Sequence, residues 1–288
     1  MICAICNPAA GNGRGKKIGL QIEQKLKEKG IPCSLWLTEA PGHATELAKK
    51  ACAQGAETVL SIGGDGTAFE TARGMLGSES ALGVIPAGTG NDFVKTIGVP
   101  LEPMAALEHV LSHPARKTDV GEINGRMFLN EIGTGFDVSV LDYAAKAKKY
   151  CRGVLPYLYG VVRTLFRFQS VPITYSVDGS ESVTVDAFVV AVANGGIIGG
   201  GIPIAPEAKA DDGKLDVVLV EKIQRRDLTK RLIGLMKGKI LTFPETRFVR
   251  AETVTFSAPD MRVNVDGEIF PEKSVSARIL PGALLIHR

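Results

Sequence analysis

The first hundred residues alternate between short apolar runs and longer segments in which apolar residues recur at helical spacing. The apolar runs are short and flanked by glycine and polar residues, as is usual for strands that are buried on both faces of a sheet. This alternation predicts a parallel β-sheet covered by α-helices. We predict strands at residues 2–6, 34–37, 58–62 and 82–85, and helices at residues 16–29, 44–54 and 67–76.

The second half of the chain has a different pattern, in which short strands follow one another closely. Asn124-Gly125, Asp178-Gly179 and Asp266-Gly267 are dipeptides typical of tight hairpin turns. They predict a mainly antiparallel second domain. Its strands are expected at residues 118–123, 126–132, 171–177, 183–194, 215–220, 246–256, 262–265 and 275–286, with inserted helices near residues 137–168 and 225–238.

This change of pattern sets the expected domain boundary. Two domains are typical of a chain of 288 residues. We predict a mainly parallel α/β domain over residues 1–117 and the antiparallel domain over residues 118–274. The last strand, residues 275–288, can return to the first domain.

Composition excludes several other classes of protein. A net charge of +3 is too close to balance for a dedicated nucleic-acid binder, so no nucleic-acid partner is expected. The five cysteines are scattered and no signal peptide is visible, which favours a cytoplasmic location. Residues 187–206 carry no formal charge over the length of a membrane span, but they contain five glycines and two prolines. We interpret this segment as a strand that enters a loop.

Glycine is the compositional outlier, with 33 residues in 288, and its clusters follow the predicted strands of the first domain. The carboxyl ends of parallel strands lie at one edge of a sheet, where ligands bind. Glycines that precede a helix leave backbone N–H groups accessible to a phosphate. The clusters are Asn7-Pro8-Ala9-Ala10-Gly11, Gly63-Gly64-Asp65-Gly66-Thr67 and Pro86-Ala87-Gly88-Thr89-Gly90-Asn91-Asp92.

Asp65 lies inside the second cluster. A carboxylate in a phosphate-facing loop is chemically reasonable if Mg²⁺ lies between the two anions; the alternative is a tight turn with Asp65 as its cap. Phe69 stands where the third glycine of a dinucleotide motif belongs, and residues 11–17 do not have P-loop spacing. Arg14 and the two lysines that follow it either meet phosphates or form a solvated helix start.

Further motifs follow these clusters along the chain. They are Phe128-x-Asn130, Gly135-Phe136-Asp137, Asp211-Asp212-Gly213-Lys214-Leu215-Asp216 and Asp266-Gly267-Glu268. Together with the three glycine clusters, they occur in the same order as in the diacylglycerol kinase catalytic-domain family. The chain resembles a soluble bacterial lipid kinase of that family over essentially its whole length.

The resemblance implies ATP-dependent, Mg²⁺-requiring phosphorylation of a lipid hydroxyl. It also implies a nucleotide-binding α/β domain, a β-sandwich domain and an active site in the cleft between them. Asp65, Asp92 and Glu268 would form the acidic network around Mg²⁺, with Glu268 also the general base. The residues expected to hold the nucleotide are Asn7, Gly11, Arg14, Gly63, Gly64, Gly66, Thr67, Gly88, Thr89, Asn91 and, more weakly, Asp119.

Some assignments stay open at this point. Asp212, the Lys214 carbonyl and Asp216 either hold a structural cation or form a charged surface turn. Taken alone, residues 265–268 are better explained as a plain hairpin without a function.

Two other functions are alternatives. NAD kinases share the Gly-Gly-Asp-Gly-Thr loop and an Asn-Glu pair like Asn130-Glu131, but residues 88–92 and 135–137 follow the lipid-kinase pattern. A non-catalytic, membrane-associated lipid-binding protein would not need Asp65, Asp92 and Glu268 together.

A lipid kinase must reach its substrate at a membrane surface. Residues 143–169 combine basic side chains and four of the five tyrosines with no acidic residue, which suits an anionic bilayer. The alternative is a packed helix with its lysines in water. Residues 222–239 are a second basic candidate, weakened by Asp227. The basic residues of the first segment are Lys146, Lys148, Lys149, Arg152, Arg163 and Arg167.

The sequence does not specify the lipid. Diacylglycerol, giving phosphatidic acid, is the substrate that the resemblance favours. The oligomeric state is also open, and a homodimer is compatible with the sequence.

Overall fold

The computed structural model describes residues 1–147, 149–150, 155–167 and 170–288. Contacts divide the chain into two compact units. The first comprises Met1–Val120 and Pro281–Arg288, and the second comprises Gly121–Leu280. Lys148, Arg152 and Phe168 of the basic segment lie outside the described residues.

Strands and helices alternate through the first unit, and strands predominate in the second. The first contains β1 (Ile2–Cys6), α1 (Ala10–Glu28), β2 (Cys33–Leu37), α2 (His43–Ala53), β3 (Thr58–Gly63), α3 (Asp65–Met75), β4 (Ala81–Pro86), α4 (Asp92–Thr96), α5 (Pro103–Ser112) and the start of β5 (Ala115–Ile123). Then follow β6 (Arg126–Phe128), β7 (Glu131–Gly135), α6 (Phe136–Ala147), α7 (Leu155–Arg167), β8 (Val171–Val177), β9 (Val183–Ala193), β10 (Ile197–Ile198), β11 (Ile202–Pro203), β12 (Leu215–Glu221), α8 (Leu228–Met236), β13 (Thr246–Ala251), β14 (Thr253–Ser257), β15 (Arg262–Val265), β16 (Glu268–Pro271) and β17 (Ser274–His287).

The first unit contains the predicted parallel sheet. Its strands lie in the order β2-β1-β3-β4, all parallel, and the end of β17 adds a further parallel strand beside β4. The chain leaves β1 towards β2 on one side and returns to β3 on the other. The loops after β1 and β3 therefore diverge, and this is the position where open α/β sheets bind ligands.

Burial explains why these segments form strands. Every residue of β1 and β4 is buried, and Leu60 and Ile62 of β3 have no exposed surface. Such strands need apolar residues on both faces, which produces the continuous apolar runs seen in the sequence. Each fully buried aliphatic side chain contributes about 1.5–3 kcal/mol through the hydrophobic effect.

The second unit is built on antiparallel strands, as expected for a β-sandwich. Its strands follow the order β16-β15-β7-β9-β8-β14-β17, and β12 pairs with both β9 and β13. Along β9, Val190 and Val192 join a core formed by strands, whereas Ala191 and Ala193 join a second core. Helices α6, α7 and α8 contribute to that second core, so the two faces of β9 are covered differently.

Two predicted strands are wrong in one respect, because each is split into two. Residues 126–132 form β6 and β7, since the N–H groups of Leu129 and Asn130 donate to the carboxylate of Asp266. Residues 246–256 form β13 and β14, and the N–H of Glu252 at the break donates to Asp178. In both places a distant carboxylate binds main-chain donors at the break in the strand.

The three dipeptide turns take the expected left-handed conformation at both residues. Asn124-Gly125 joins β5 to β6, and Asp266-Gly267 joins β15 to β16, each as a two-residue hairpin. Asp178-Gly179 belongs instead to a longer connection, because Tyr175 already pairs with Val183. Within the described ranges, no helix is both long enough and apolar enough to span a bilayer.

Candidate functional site

Three loops meet at the carboxyl edge of the first unit's sheet. We call them loop 1 (residues 7–13), loop 2 (residues 63–67) and loop 3 (residues 87–92). The N–H groups of Ala87 and Gly88 both donate to the carbonyl of Gly63, at 2.7 and 3.1 Å. A Cβ atom on Gly11 would collide with the carbonyl oxygen of Ala87. The glycine clusters of the sequence are therefore brought together, as the parallel order predicts.

Loop 1 is a left-handed turn that precedes the regular part of α1. Gly11, Asn12 and Gly13 have φ angles of 57°, 60° and 89°, so the regular helix starts after them, near Arg14. The Nε atom of Arg14 donates to the carbonyl of Gly11 at 3.1 Å, which places this exposed cation beside the loop. The predicted helix over residues 16–29 thus begins earlier than the apolar spacing indicated.

Asn7 joins loop 1 to loop 2. Its Oδ1 atom accepts a hydrogen bond from the N–H of Ala9 at 3.0 Å, and its Nδ2 atom donates to Oγ1 of Thr67 at 3.3 Å. A Cβ atom on Gly63 would collide with the Thr67 side chain. The Thr67 side chain therefore packs against Gly63 and accepts a hydrogen bond from Asn7, and a larger residue at position 63 would disturb this arrangement.

Gly66 differs from its neighbours because nothing lies within 4 Å of the position where its Cβ would be. It is part of α3, where a glycine interior to the helix costs about 0.5–1 kcal/mol relative to alanine. No protein atom requires a glycine there. The open space at this position would allow a ligand to lie close to the main chain of Gly66.

That space belongs to a cavity of about 480 Å³ in the first unit. It extends along the first turn of α3, where free N–H groups and the helix dipole favour an anion. The cavity is lined by residues of all three loops and of the segment after β2, including Asn7, Thr38, Glu39, Gly64, Gly66, Thr67, Glu70 and Gly88.

Loop 3 is closed on itself by Asn91. The Asn91 side chain accepts from the N–H of Gly88 at 3.1 Å and donates to the carbonyl of the same residue at 3.2 Å. Asn91 has a φ of 53°, a left-handed conformation that asparagine tolerates better than most residues. Thr89 lies exposed at the tip, so the loop shape depends on Asn91.

Asp65 and Asp92 lie close together at the start of α3 and α4. The Oδ1 atom of Asp65 accepts a hydrogen bond from the N–H of Phe93 at 3.1 Å, so Asp65 caps α4. Burial raises the pKa of Asp65, and the negative charge of Asp92 raises it further, although the Phe93 N–H opposes both. Asp92 is buried and forms an ion pair with Lys95 at 3.1 Å.

These two carboxylates fit a magnesium ion that also binds phosphate. Mg²⁺ in such sites usually takes one or two protein carboxylates, with phosphate oxygens and water as further ligands. Among the described residues, no group of three or more His, Cys, Asp or Glu side chains could hold a metal by itself. The expected magnesium role of Asp65 and Asp92 stays a prediction.

Glu268 is the first residue of β16 in the second unit, and it is exposed. The turn before it is held by Asp266, whose carboxylate accepts the N–H groups of Leu129, Asn130 and Glu131 at 2.6, 2.9 and 3.0 Å. The Asp-Gly-Glu motif is thus a hairpin with an anchored first residue. The role of Glu268 stays a prediction.

Asp119 has a main-chain partner. Its Oδ1 atom accepts the N–H of Gly282 at 2.7 Å and so links β5 to the end of β17 within the first unit. Asp119 is buried, and this hydrogen bond is sufficient for a structural role. Its predicted contribution to nucleotide binding stays a prediction.

The residues of the predicted structural cation site form ion pairs and a turn. Asp216 is buried and lies 2.9 Å from Nε of Arg250, while Lys214 Nζ lies 2.8 Å from Glu252. The N–H of Lys214 donates to Asp212 Oδ1, as in a polar turn. The structural-cation role of these residues stays a prediction.

One buried polar cluster was not predicted from the sequence. The Nδ2 atom of Asn264 lies 3.2 Å from Oε1 of Glu131 and 3.3 Å from Oδ2 of Asp137. Burial raises the pKa of Asp137 to about 6, although hydrogen bonds from Val138 and Asn264 oppose the shift. Glu131 and Asp137 lie in motifs that the sequence displays, but nothing local marks Asn264 as their partner.

The first unit thus has a cavity beside three glycine loops, and the second unit is built on antiparallel strands. Two family models match successive parts of the chain. Residues 1–123 match the family model for the diacylglycerol kinase catalytic domain. Residues 130–288 match the model for the YegS C-terminal NAD kinase beta sandwich-like domain.

Curated relatives agree with these matches. A diacylglycerol kinase of Mycobacterium tuberculosis is 29% identical over 100% of this chain and 94% of its own length. A probable lipid kinase YegS-like protein of Pseudomonas aeruginosa is 33% identical over 91% of this chain and 86% of its own. A diacylglycerol kinase of Bacillus subtilis is 30% identical over 92% of this chain and 88% of its own.

A solved structure shows the same fold. A protein from Bacillus anthracis strain Sterne, described as a candidate diacylglycerol kinase, superimposes with a TM-score of 0.81 at 26% identity, covering 99% of this chain and 96% of that chain. The chain belongs to the diacylglycerol kinase and YegS family of lipid kinases. It is thus an enzyme of the transferase class, which disfavours the non-catalytic alternative.

The open space at Gly66 leads to a first prediction. Gly66→Ala should leave thermal stability unchanged or slightly raised, because the added methyl meets no protein atom. It should weaken binding of ATP, the ligand that the resemblance implies, by about tenfold or more, or roughly 1.4 kcal/mol. Calorimetric titration with ATP and Mg²⁺ measures the binding.

Gly74→Ala, in the same helix, is the matched control. Its Cβ would collide with the Thr45 carbonyl and lie 2.7 Å from Cβ of Ala48, so it should lower stability by about 1–3 kcal/mol without changing ATP affinity per folded molecule. Equal ATP affinity in Gly66→Ala and the wild type would contradict the ligand position.

Asp137 leads to a second prediction. Its folded pKa of about 6 lies above the ordinary value of 3.8, so its contribution to stability falls as the pH rises from about 4 to about 6. Asp137→Asn removes this loss, and its melting temperature should exceed that of the wild type by several degrees at pH 7 and by little at pH 4. The free-energy difference is about 1–3 kcal/mol. A melting-temperature difference independent of pH would contradict the shift.

Proposed function

We propose that this enzyme transfers the γ-phosphate of ATP to the hydroxyl of diacylglycerol, giving phosphatidic acid, with Mg²⁺ as the required ion. The observation that carries the proposal is the meeting of three glycine loops around open space at the start of α3, beside two carboxylates. The space next to Gly66 and the N–H groups of α3 suit a phosphate chain.

The chemistry of phosphoryl transfer is compatible with these residues. The transfer needs the phosphates positioned and their charge neutralised more than it needs a reactive side chain. Loop 2 and loop 3 would position the phosphates through main-chain N–H groups, and Arg14 would add positive charge. Bound Mg²⁺ would supply the further neutralisation between the phosphates and the carboxylates of Asp65 and Asp92.

Glu268 is proposed as the general base. Its exposed carboxylate would accept the proton of the lipid hydroxyl as the hydroxyl oxygen bonds to the γ-phosphorus and ADP leaves. A positioned base of this kind contributes about 10²–10⁴-fold to the rate. The carboxylate of Asp266 already binds three main-chain N–H groups. The side chain of Glu268, in contrast, is exposed to solvent.

Support for diacylglycerol as the acceptor comes from the relatives. Those from M. tuberculosis and B. subtilis are named diacylglycerol kinases, whereas the P. aeruginosa relative is named only a lipid kinase. We therefore propose diacylglycerol as the substrate and a lipid hydroxyl as the broader class. NAD is the competing acceptor.

We further propose that α7 and the end of α6 dock on an anionic membrane from the cytoplasmic side. Leu155, Tyr159 and Val162 are exposed at positions i, i+4 and i+7 of α7, so they share one helix face. Lys146 and Lys149 are exposed near the end of α6. Exposed apolar and basic side chains on two helices that pack together suit the interface of an anionic bilayer.

The second basic candidate, residues 222–239, has weaker support. Arg231 forms an ion pair with Glu245 at 2.9 Å, and Arg226 lies 3.6 Å from Asp227. These acidic partners offset part of the positive charge. Ile233 and Met236 of α8 are nevertheless exposed.

Lipid phosphorylation is the third prediction. The wild type should transfer label from γ-labelled ATP to diacylglycerol in mixed micelles, and Asp65→Asn and Glu268→Gln should each lower the rate by about 10²-fold or more. The amide in Asp65→Asn keeps an oxygen for the Phe93 N–H, so the cap of α4 survives while the charge is lost. Circular dichroism checks that the variants remain folded.

A panel of acceptors makes this test decisive. Diacylglycerol, ceramide, sphingosine, NAD and a sample without acceptor are compared with the same enzyme. Label in NAD but in no lipid would overturn the lipid assignment, and wild-type rates in folded Glu268→Gln would overturn the assigned base.

Membrane docking is the fourth prediction. Lys146→Glu combined with Lys149→Glu should lower binding to phosphatidylglycerol vesicles by about tenfold or more at low salt, because each basic residue contributes about 1 kcal/mol. Vesicle co-sedimentation measures this. Lys27→Glu combined with Lys49→Glu makes the same charge change on exposed residues of the first unit. An equal loss in that control would contradict docking through α6 and α7.

A further inference from the structure

Asn264 is buried in β15, and both the nitrogen and the oxygen of its side-chain amide form hydrogen bonds. Its Nδ2 atom donates to Glu131 and Asp137, so one nitrogen serves two carboxyl groups. Its Oδ1 atom accepts the N–H of Gly267 at 2.8 Å. An aspartate here would accept but not donate, and a leucine would do neither, so the amide suits both contacts.

The second of these contacts fixes the turn that carries Glu268. Asp266 and Gly267 have φ angles of 47° and 98°, and the first value is uncommon for a residue other than glycine. The turn is held from two sides: Asn264 accepts the N–H of Gly267, and Asp266 binds the main chain at the start of β7. Glu268 leaves the turn in the direction that these bonds set.

The first contact fixes Asn264 itself. Glu131 is 2% exposed, and the Cβ of any other residue at position 133 would collide with the Asp137 carboxylate. The Asp137 carboxylate therefore fits here only because residue 133 is a glycine. Apolar side chains would fill such a position without the desolvation cost of two carboxyl groups, so stability alone does not account for the cluster. Oε1 of Glu131 and Oδ2 of Asp137 both accept from the Asn264 amide nitrogen, which fixes the orientation of that side chain.

We propose that Asn264 is a positioning residue for Glu268: Glu131 and Asp137 hold its amide, and its carbonyl oxygen holds the turn that orients the Glu268 carboxylate. The inference rests on the proposed function, in which Glu268 accepts the proton of the lipid hydroxyl. Asn264 touches no reacting group and acts through the Gly267 main chain. A displacement of a reacting group by about 1 Å can cost about 10²-fold in rate.

The test exchanges the amide and the acid between two positions. Asn264→Asp keeps an oxygen for Gly267 but turns both donors into acceptors facing Glu131 and Asp137. Its kcat should fall about 10–100-fold, with the KM for ATP within about twofold of wild type. Adding Asp137→Asn returns a donor to the cluster and should recover at least about tenfold of the lost kcat.

Thr134→Val is the matched control. The Thr134 hydroxyl is buried and donates to the Arg262 carbonyl at 2.7 Å, so this variant loses a bond between the same two strands without touching the turn. Its kcat should stay within about threefold of wild type, even if its melting temperature falls as far as that of Asn264→Asp. If Asn264→Asp does not fold, Asn264→Ser, too short to make both contacts, replaces it with the same expected loss.

The outcomes separate this inference from the proposed function. A wild-type kcat in Asn264→Asp, no recovery in the exchanged double variant, or an equal loss in Thr134→Val would overturn the positioning role while lipid phosphorylation stands. Full activity in Glu268→Gln, or no transfer to lipid by the wild type, would overturn the proposed function and this inference with it.

Discussion

The main-chain contact between loop 2 and loop 3 is the constraint on which the site depends. Two N–H groups of loop 3 share the carbonyl of Gly63, and a Cβ on Gly88 would collide with the backbone of Gly64. The loops approach this closely only because glycine stands on both sides. Their contact brings the starts of α3 and α4 together, and Asp65 then caps α4 across the gap. Loss of the glycines would therefore separate the two helix starts.

Both units use carboxylates to hold irregular main chain. In the first unit, Asp65 caps α4, and Glu70 accepts the N–H groups of Gly42 and Ala44 at the start of α2. In the second unit, Asp266 does the same where β7 begins. Hydrogen bonds to a charged acceptor are stronger than those between neutral groups, so they can fix turns that regular pairing does not reach. These acids give the loops a defined shape before any ligand binds.

The sequence predicted the parts that depend on local pattern. The buried strands appeared as apolar runs, and the hairpin dipeptides marked two of the tight turns. The breaks at residues 129–130 and 252 were missed, because their cause is a carboxylate 137 or 74 residues away along the chain. Helix α5 was also missed, although Glu102 accepts the N–H of Ala105 and a proline follows it. Asn264 carries no local signal, since only pairing of β7 with β15 brings it to its acids.

Asp65 shows why a cap and an ion-binding role are compatible. One oxygen accepts the Phe93 N–H, and carboxylates have further lone pairs available. Burial and the charge of Asp92 both raise its pKa, so the ionised form is less stable here than in water. A cation beside the two carboxylates would reverse that effect, because an opposite charge favours the ionised form. The cap fixes where the Asp65 carboxylate lies, and because Lys95 already pairs with Asp92, a bound cation would act mainly on the charge of Asp65.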